Sequence, residues 1–255
     1  MKCGYEVQID ENSIDELRKK LAFKRLYKVR PECMQSKNIR QRLVIDNFLT
    51  PNGELDAEKI ENLYFPVLEA DVFISHAHAD EDIALGLQEM LWEKFGVSSF
   101  VDSLVWNSCD ELLSEIDKRF SRSMSRSNCF DYKATRRSAS RIYMILSAAL
   151  IKTIQACDCM FFIQSENFMC GESYHKRTHS PWIYLEQVAF DVMTKTRWQP
   201  LNEEMVRKAS KLNVVYTLLS GLPQLTEDDF IKWKADTSDY SDNPLEVLYD
   251  LKRIL

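Results

Sequence analysis

Asp71-Val72-Phe73-Ile74-Ser75-His76-Ala77-His78-Ala79-Asp80-Glu81-Asp82 runs from an apolar stretch into small and polar residues and then into an acidic helix start. A buried strand, a polar turn and a capped helix in that order are how open α/β sheets begin. Such sheets place their ligands in the crevice at the carboxyl ends of their strands. Residues 75–80 are therefore expected at the mouth of a site.

Asp80 is placed to cap a helix with Glu81 and Asp82 in its first turn, an apolar face of Ile83, Leu87, Met90 and Leu91, and Gly96 as its stop. Residues 97–102 read as the next strand, which makes a strand-helix-strand unit with parallel neighbours and a right-handed crossover. Further on, 112–120 and 138–153 read as helices, 159–164 as a strand, 165–179 as a polar loop and 213–218 as a fourth strand. Ser180-Pro181 opens a helix with a capping hydroxyl and a proline at the first helical position, putting Trp182 and Glu186 one turn apart on one face. The stretches 226–233 and 244–255 close the chain as helices, and no fifth strand is placed after Leu219. Strands alternating with helices, without hairpin signals, predict a mostly parallel, doubly wound sheet.

The first 68 residues read as a helical N-terminal extension on a domain covering 69–255. Its helices are expected from a capping box at Ser13-Ile14-Asp15-Glu16, over 36–48, and from Asp56 to before Pro66. Between Lys118 and Arg141 eight basic residues stand against one acid, Asp131, with Phe130 and Tyr132 among them, so 121–141 is read as a basic insertion. A solvated excursion and a phosphate-binding patch are both open for it.

Composition narrows the function. The 255 residues are 45% hydrophobic, enough for a full core. A balance of 33 basic and 39 acidic residues, net charge -6, argues against general adhesion to nucleic acid or an anionic membrane. Seven cysteines without framework spacing point to a reducing cytoplasm. The most apolar run, 142–151, is far shorter than the roughly 20 residues of a membrane helix. A glycine-rich phosphate loop is missing, so a dinucleotide would be held by side chains and helix starts.

The stretch from Asp71 to His76 resembles the first signature of Toll/interleukin-1 receptor (TIR) domains. Ser180-Pro181-Trp182-Ile183-Tyr184-Leu185-Glu186 is similar to the Ser-x-Trp-x-x-x-Glu pattern that opens a later helix in that family. The resemblance implies a flavodoxin-like sheet and, among bacterial members, many of them in anti-phage systems, cleavage of NAD+ at the nicotinamide-ribose bond. It implies Glu186 as the catalytic carboxylate. It also implies a substrate site formed by Phe73, Ser75, His76 and Trp182, with Asp102, Ser103 and Trp106 on a loop that mediates homo-oligomer assembly. NAD+ is then substrate and no cofactor is expected; a nucleotide product would act on an effector protein.

The chemistry is coherent without the resemblance. Breaking the nicotinamide-ribose bond builds positive charge on the ribose, which a fixed carboxylate stabilises or captures, and nicotinamide leaves as a neutral base. Two other classes remain open: a non-catalytic adaptor acting by self-association, and a metal-dependent hydrolase using His76, His78 and Asp80. Glu186 as a solvated helix residue and Trp182 as core filler are the plain alternatives.

Overall fold

The computed structural model describes residues 3–21, 31–34, 44–106, 108–123, 129–168, 177–194, 216–218, 221–237 and 243–252. In chain order the elements are β1 (Cys3–Val7), α1 (Glu11–Lys20), α2 (Ala57–Tyr64), β2 (Val72–Ser75), α3 (Glu81–Phe95), β3 (Ser99–Phe100), α4 (Asp102–Val105), α5 (Cys109–Phe120), α6 (Tyr132–Ala156) and β4 (Cys159–Ile163). They continue with β5 (Arg177–Thr178), α7 (Pro181–Thr194), β6 (Tyr216–Thr217), β7 (Gln224–Leu225), α8 (Glu227–Asp236) and α9 (Pro244–Leu251). The chain divides into two compact units, one of Met1–Met34, Glu69–Val101 and Ile154–Leu255, the other of Gln35–Leu68 and Asp102–Thr153.

The first unit holds a five-stranded sheet in the order β3-β2-β4-β1-β7, parallel throughout. The α/β class and the parallel sheet agree with the expectation, and the architecture is consistent with a flavodoxin-like fold. Central parallel strands are covered on both faces and so lose the alternation of a half-exposed strand. Val72, Phe73, Ile74 and Ser75 are accordingly all buried, as is the whole of β4. The helix after β2 forms as its pattern requires: Ala84, Leu87, Met90, Leu91 and Phe95 are buried, and Gly96 ends it in the left-handed region with φ 69°.

Several expectations change at the N-terminus. Residues 1–68 are not uniformly helical: Cys3–Val7 is a strand, paired with β4 from Cys3↔Cys159 to Val7↔Ile163 and with β7 on its other side. Gly4 and Glu6 break up the apolar pattern that would have announced it. Gly4 is needed because a Cβ there would meet Phe190 Cζ at 2.4 Å, and Glu6 is buried. The first helix starts one turn earlier than its apparent capping box, because Asp10, not Ser13, is the cap: the Ser13 amide donates to Asp10 Oδ1 at 2.8 Å.

Within the fourth strand expected over 213–218, the described residues do not enter the main sheet. Its described part, β6, pairs antiparallel with β5, and residues 213–215 lie outside the described residues. β1 occupies the fourth place instead, and β7, too short to stand out in the sequence, is the fifth.

The second unit is helical. Asp56 caps α2 and Ser108 caps α5; the Tyr64 hydroxyl donates to Ser108 O at 2.8 Å, and Lys152 of α6 pairs with Glu61 of α2 at 2.5 Å. The helix expected over 36–48 is described only as the short 3-10 turn Ile45–Phe48. Much of the basic insertion is regular, since α6 already begins at Tyr132; Lys133, Arg136, Arg137 and Arg141 project from it exposed, while Arg126 lies outside the described residues. Among the described residues no helix is long and apolar enough to cross a membrane.

Candidate functional site

Crossovers between parallel strands are right-handed, so the direction of each step across the sheet decides which face its helix covers. The steps β1 to β2 and β2 to β3 run one way and carry α1 and α3, which pack on each other with Ile14 against Gly86. The step from β4 to β7 runs the other way and carries α7, whose Phe190 packs on Gly4 and edge-on against Phe162. β2 and β4 therefore send their helices to opposite faces, and the crevice between their carboxyl ends is a topological switch point.

The two expected signatures meet in that crevice. Ser75, the last residue of β2, donates from Oγ to Glu186 Oε2 of α7 at 2.5 Å, across 111 positions of sequence. Both are buried, Ser75 at 1% and Glu186 at 5% exposure. The helix that delivers Glu186 is fixed at its start by the Ser180 hydroxyl, which accepts from the Ile183 amide, and by Tyr184 stacked on Tyr216 with ring centroids 4.8 Å apart. A carboxylate held inside the protein acts more strongly on a nearby positive charge than it would in water.

The turn after β2 differs from expectation at Asp80. It stands at the N-cap of α3 without capping it; its carboxylate instead accepts from Ser165 Oγ and, at 2.7 Å, from Asn167 Nδ2, both in the turn after β4. Ser165 Oγ accepts in turn from the amides of Asn167 and Phe168, so the ends of β2 and β4 are tied by one buried carboxylate. Sequence reasoning missed Ser165 and Asn167. The available signal was the small polar triplet following the apolar run of β4, the same pattern that marked Ser75.

Asp80 is thus engaged in that tie and His78 is exposed, while His76 is half-buried with Nδ1 3.4 Å from Ile74 O. Among the described residues no group of three or more His, Cys, Asp or Glu side chains is placed to hold a metal ion. The metal-hydrolase ligand set is not assembled by His76, His78 and Asp80; His175 lies outside the described residues and His179 is exposed. Cys157 and Cys159 are buried thiols, and desolvation raises the Cys159 pKa well above the ordinary thiol value.

The remaining expected site residues are distributed as follows. Phe73 is 1% exposed and stacks on Phe100 at 5.6 Å, so it supports β2 and presents no surface to a ligand. Trp182 is half-buried in the first turn of α7. Asp102, Ser103 and Trp106 belong to the second unit. There the Ser103 amide donates to Asp102 Oδ1, and Trp106 packs edge-on against Phe65 while its Nε1 donates to Pro66 O at 3.1 Å. Comparison with known protein families, with characterised proteins and with solved structures finds no match for this chain.

Proposed function

We propose that the chain is a TIR-like NAD+ glycohydrolase or cyclase of bacterial immune signalling, with Glu186 as the carboxylate that meets the ribose. The observation that carries this is the bond from Ser75 to Glu186, which brings the ends of the two signature stretches together at a switch point. As the nicotinamide-ribose bond lengthens, positive charge grows on the anomeric carbon and ring oxygen. Glu186 stabilises that charge or captures the carbon, water or a ribose hydroxyl completes the substitution, and nicotinamide departs as a neutral base. Ser75 holds the carboxylate in place until substrate arrives, and His76 and Trp182 border the nicotinamide side.

Full burial of the Ser75–Glu186 pair favours a second role, that of an adaptor in which the pair only locks α7 onto β2 and the chain acts by self-association. Incubation with NAD+ at high protein concentration, with nicotinamide followed by chromatography and assembly by light scattering, separates the two. Release by the native protein and none by Glu186→Ala supports the enzyme. Assembled native protein that releases nothing leaves the adaptor.

A further inference from the structure

Helix α6 carries five cations, Lys133, Arg136, Arg137, Arg141 and Lys152, and no acid, in a chain whose net charge is -6. Other cations of the same unit find carboxylates: Lys118 pairs with Glu115, Arg119 with Asp46 and Lys152 with Glu61. Lys133, Arg136, Arg137 and Arg141 are exposed and, among the described residues, form no ion pair. The one acid beside them, Asp131, is engaged as a cap, its Oδ1 accepting from the Ala134 amide at 2.8 Å.

This arrangement is unfavourable for the helix by itself. Lys133, Arg137 and Arg141 are spaced four apart, so like charges lie one above another along a single ridge, and Lys133 meets the positive end of the helix dipole. Among the described residues no carboxylate pairs with the ridge to offset that repulsion. An external anion with a matching repeat would. Successive cations of the ridge are about 6 Å apart along the helix axis, on the scale of the step between phosphates in a single strand.

Aromatic rings stand at the head of the ridge. Tyr132 is 73% exposed, with the Arg136 guanidinium 5.5 Å from its ring centroid, and Phe130, just ahead of the helix, is 52% exposed. Rings left in water beside guanidinium groups are platforms for unstacked bases, which a duplex does not offer. The ridge also interrupts the exposed face, so the first half of α6 has no continuous apolar stripe to enter a membrane.

We propose that this face of α6 binds single-stranded nucleic acid. Lys133, Arg137 and Arg141 take successive phosphates, and Tyr132 and Phe130 stack bases. The surface belongs to the helical unit, and binding there does not depend on the glycohydrolase reading above.

The test is fluorescence anisotropy of a labelled oligothymidylate titrated with the full chain over a salt series. A duplex of equal length, poly-glutamate and vesicles containing phosphatidylglycerol are compared with it. Native protein is expected to bind the single strand in preference to all three, and more weakly as salt rises. Replacing the ridge together, by Lys133→Gln, Arg137→Gln and Arg141→Gln, should weaken binding by about tenfold or more and lower the slope of log affinity against log salt by about 2. Tyr132→Leu with Phe130→Leu should keep that slope and lose about tenfold in affinity for each base no longer stacked. Both variants are checked for an unchanged unfolding temperature. No binding of oligothymidylate by native protein at low salt overturns the proposal without reference to any variant. Unchanged affinity in either folded variant overturns it too. Poly-glutamate bound as tightly as the oligonucleotide would show a surface that reads charge alone, and vesicles or duplex bound in preference would assign it to a membrane or to paired strands; each of these results contradicts the proposal.

Discussion

The two crevices beside β4 are finished in opposite ways. Between β2 and β4 every polar group described above has found a partner: Ser75 holds Glu186, and Asp80 takes Ser165 and Asn167. Between β4 and β1 a cavity is open and the Gln164 amide has none among the described residues. The sheet thus has one crevice closed by buried polar contacts and one that stays open.

The sharpest way to break this contrast is Glu186→Gln. The amide still accepts from Ser75 but carries no charge, so nicotinamide release is expected to fall by about 10²–10³-fold with the fold kept, measured as kcat/KM beside thermal unfolding. Asp80→Ala tests the closed side as structure. It removes the acceptor of two hydrogen bonds, and urea unfolding should show a loss of about 3 kcal/mol. Gly4→Ala tests the seating of β1, since the new Cβ would enter the Phe190 ring. A loss of about 1–3 kcal/mol is expected, largely relieved in combination with Phe190→Leu.

The smallest effect lies away from both crevices, where α8 meets α9. Burial pushes the Asp229 carboxyl up, but Lys252 at 2.7 Å and the Thr226 amide and hydroxyl outweigh it and hold the carboxyl below its ordinary range. As pH falls, the unfolded chain takes up its proton first. The stability contributed is therefore full above the ordinary aspartate value of about 3.9 and is lost as pH falls through the lower folded value. Asp229→Asn should cost about 1 kcal/mol at neutral pH, with the difference closing in acid unfolding curves.

Much of the closed crevice was legible in the sequence because its parts carry strong local patterns. Val72 to Ser75 is a continuous buried strand, Gly96 stops α3, and Ser180-Pro181 starts the helix that presents Glu186. The open crevice was not legible. β1 is five residues long and interrupted by Gly4 and Glu6, whose roles are close packing and burial within the sheet, so periodicity does not reveal it. β7 has only two paired residues, and a strand of that length has no pattern to read. Asp80 shows the same limit at the scale of one side chain: its position fits a helix cap, while the partners that claimed it, Ser165 and Asn167, are more than 80 residues away.

The most direct test places substrate and carboxylate together. With ¹³C introduced at the glutamate carboxyl carbons and the Glu186 resonance assigned by its loss in Glu186→Gln, the protein is titrated with an NAD+ analogue whose nicotinamide ribose is replaced by an uncleavable carbocycle. A saturable shift of that resonance is the predicted result. A resonance that stays fixed through saturating analogue would show that Glu186 serves only to lock α7 against Ser75.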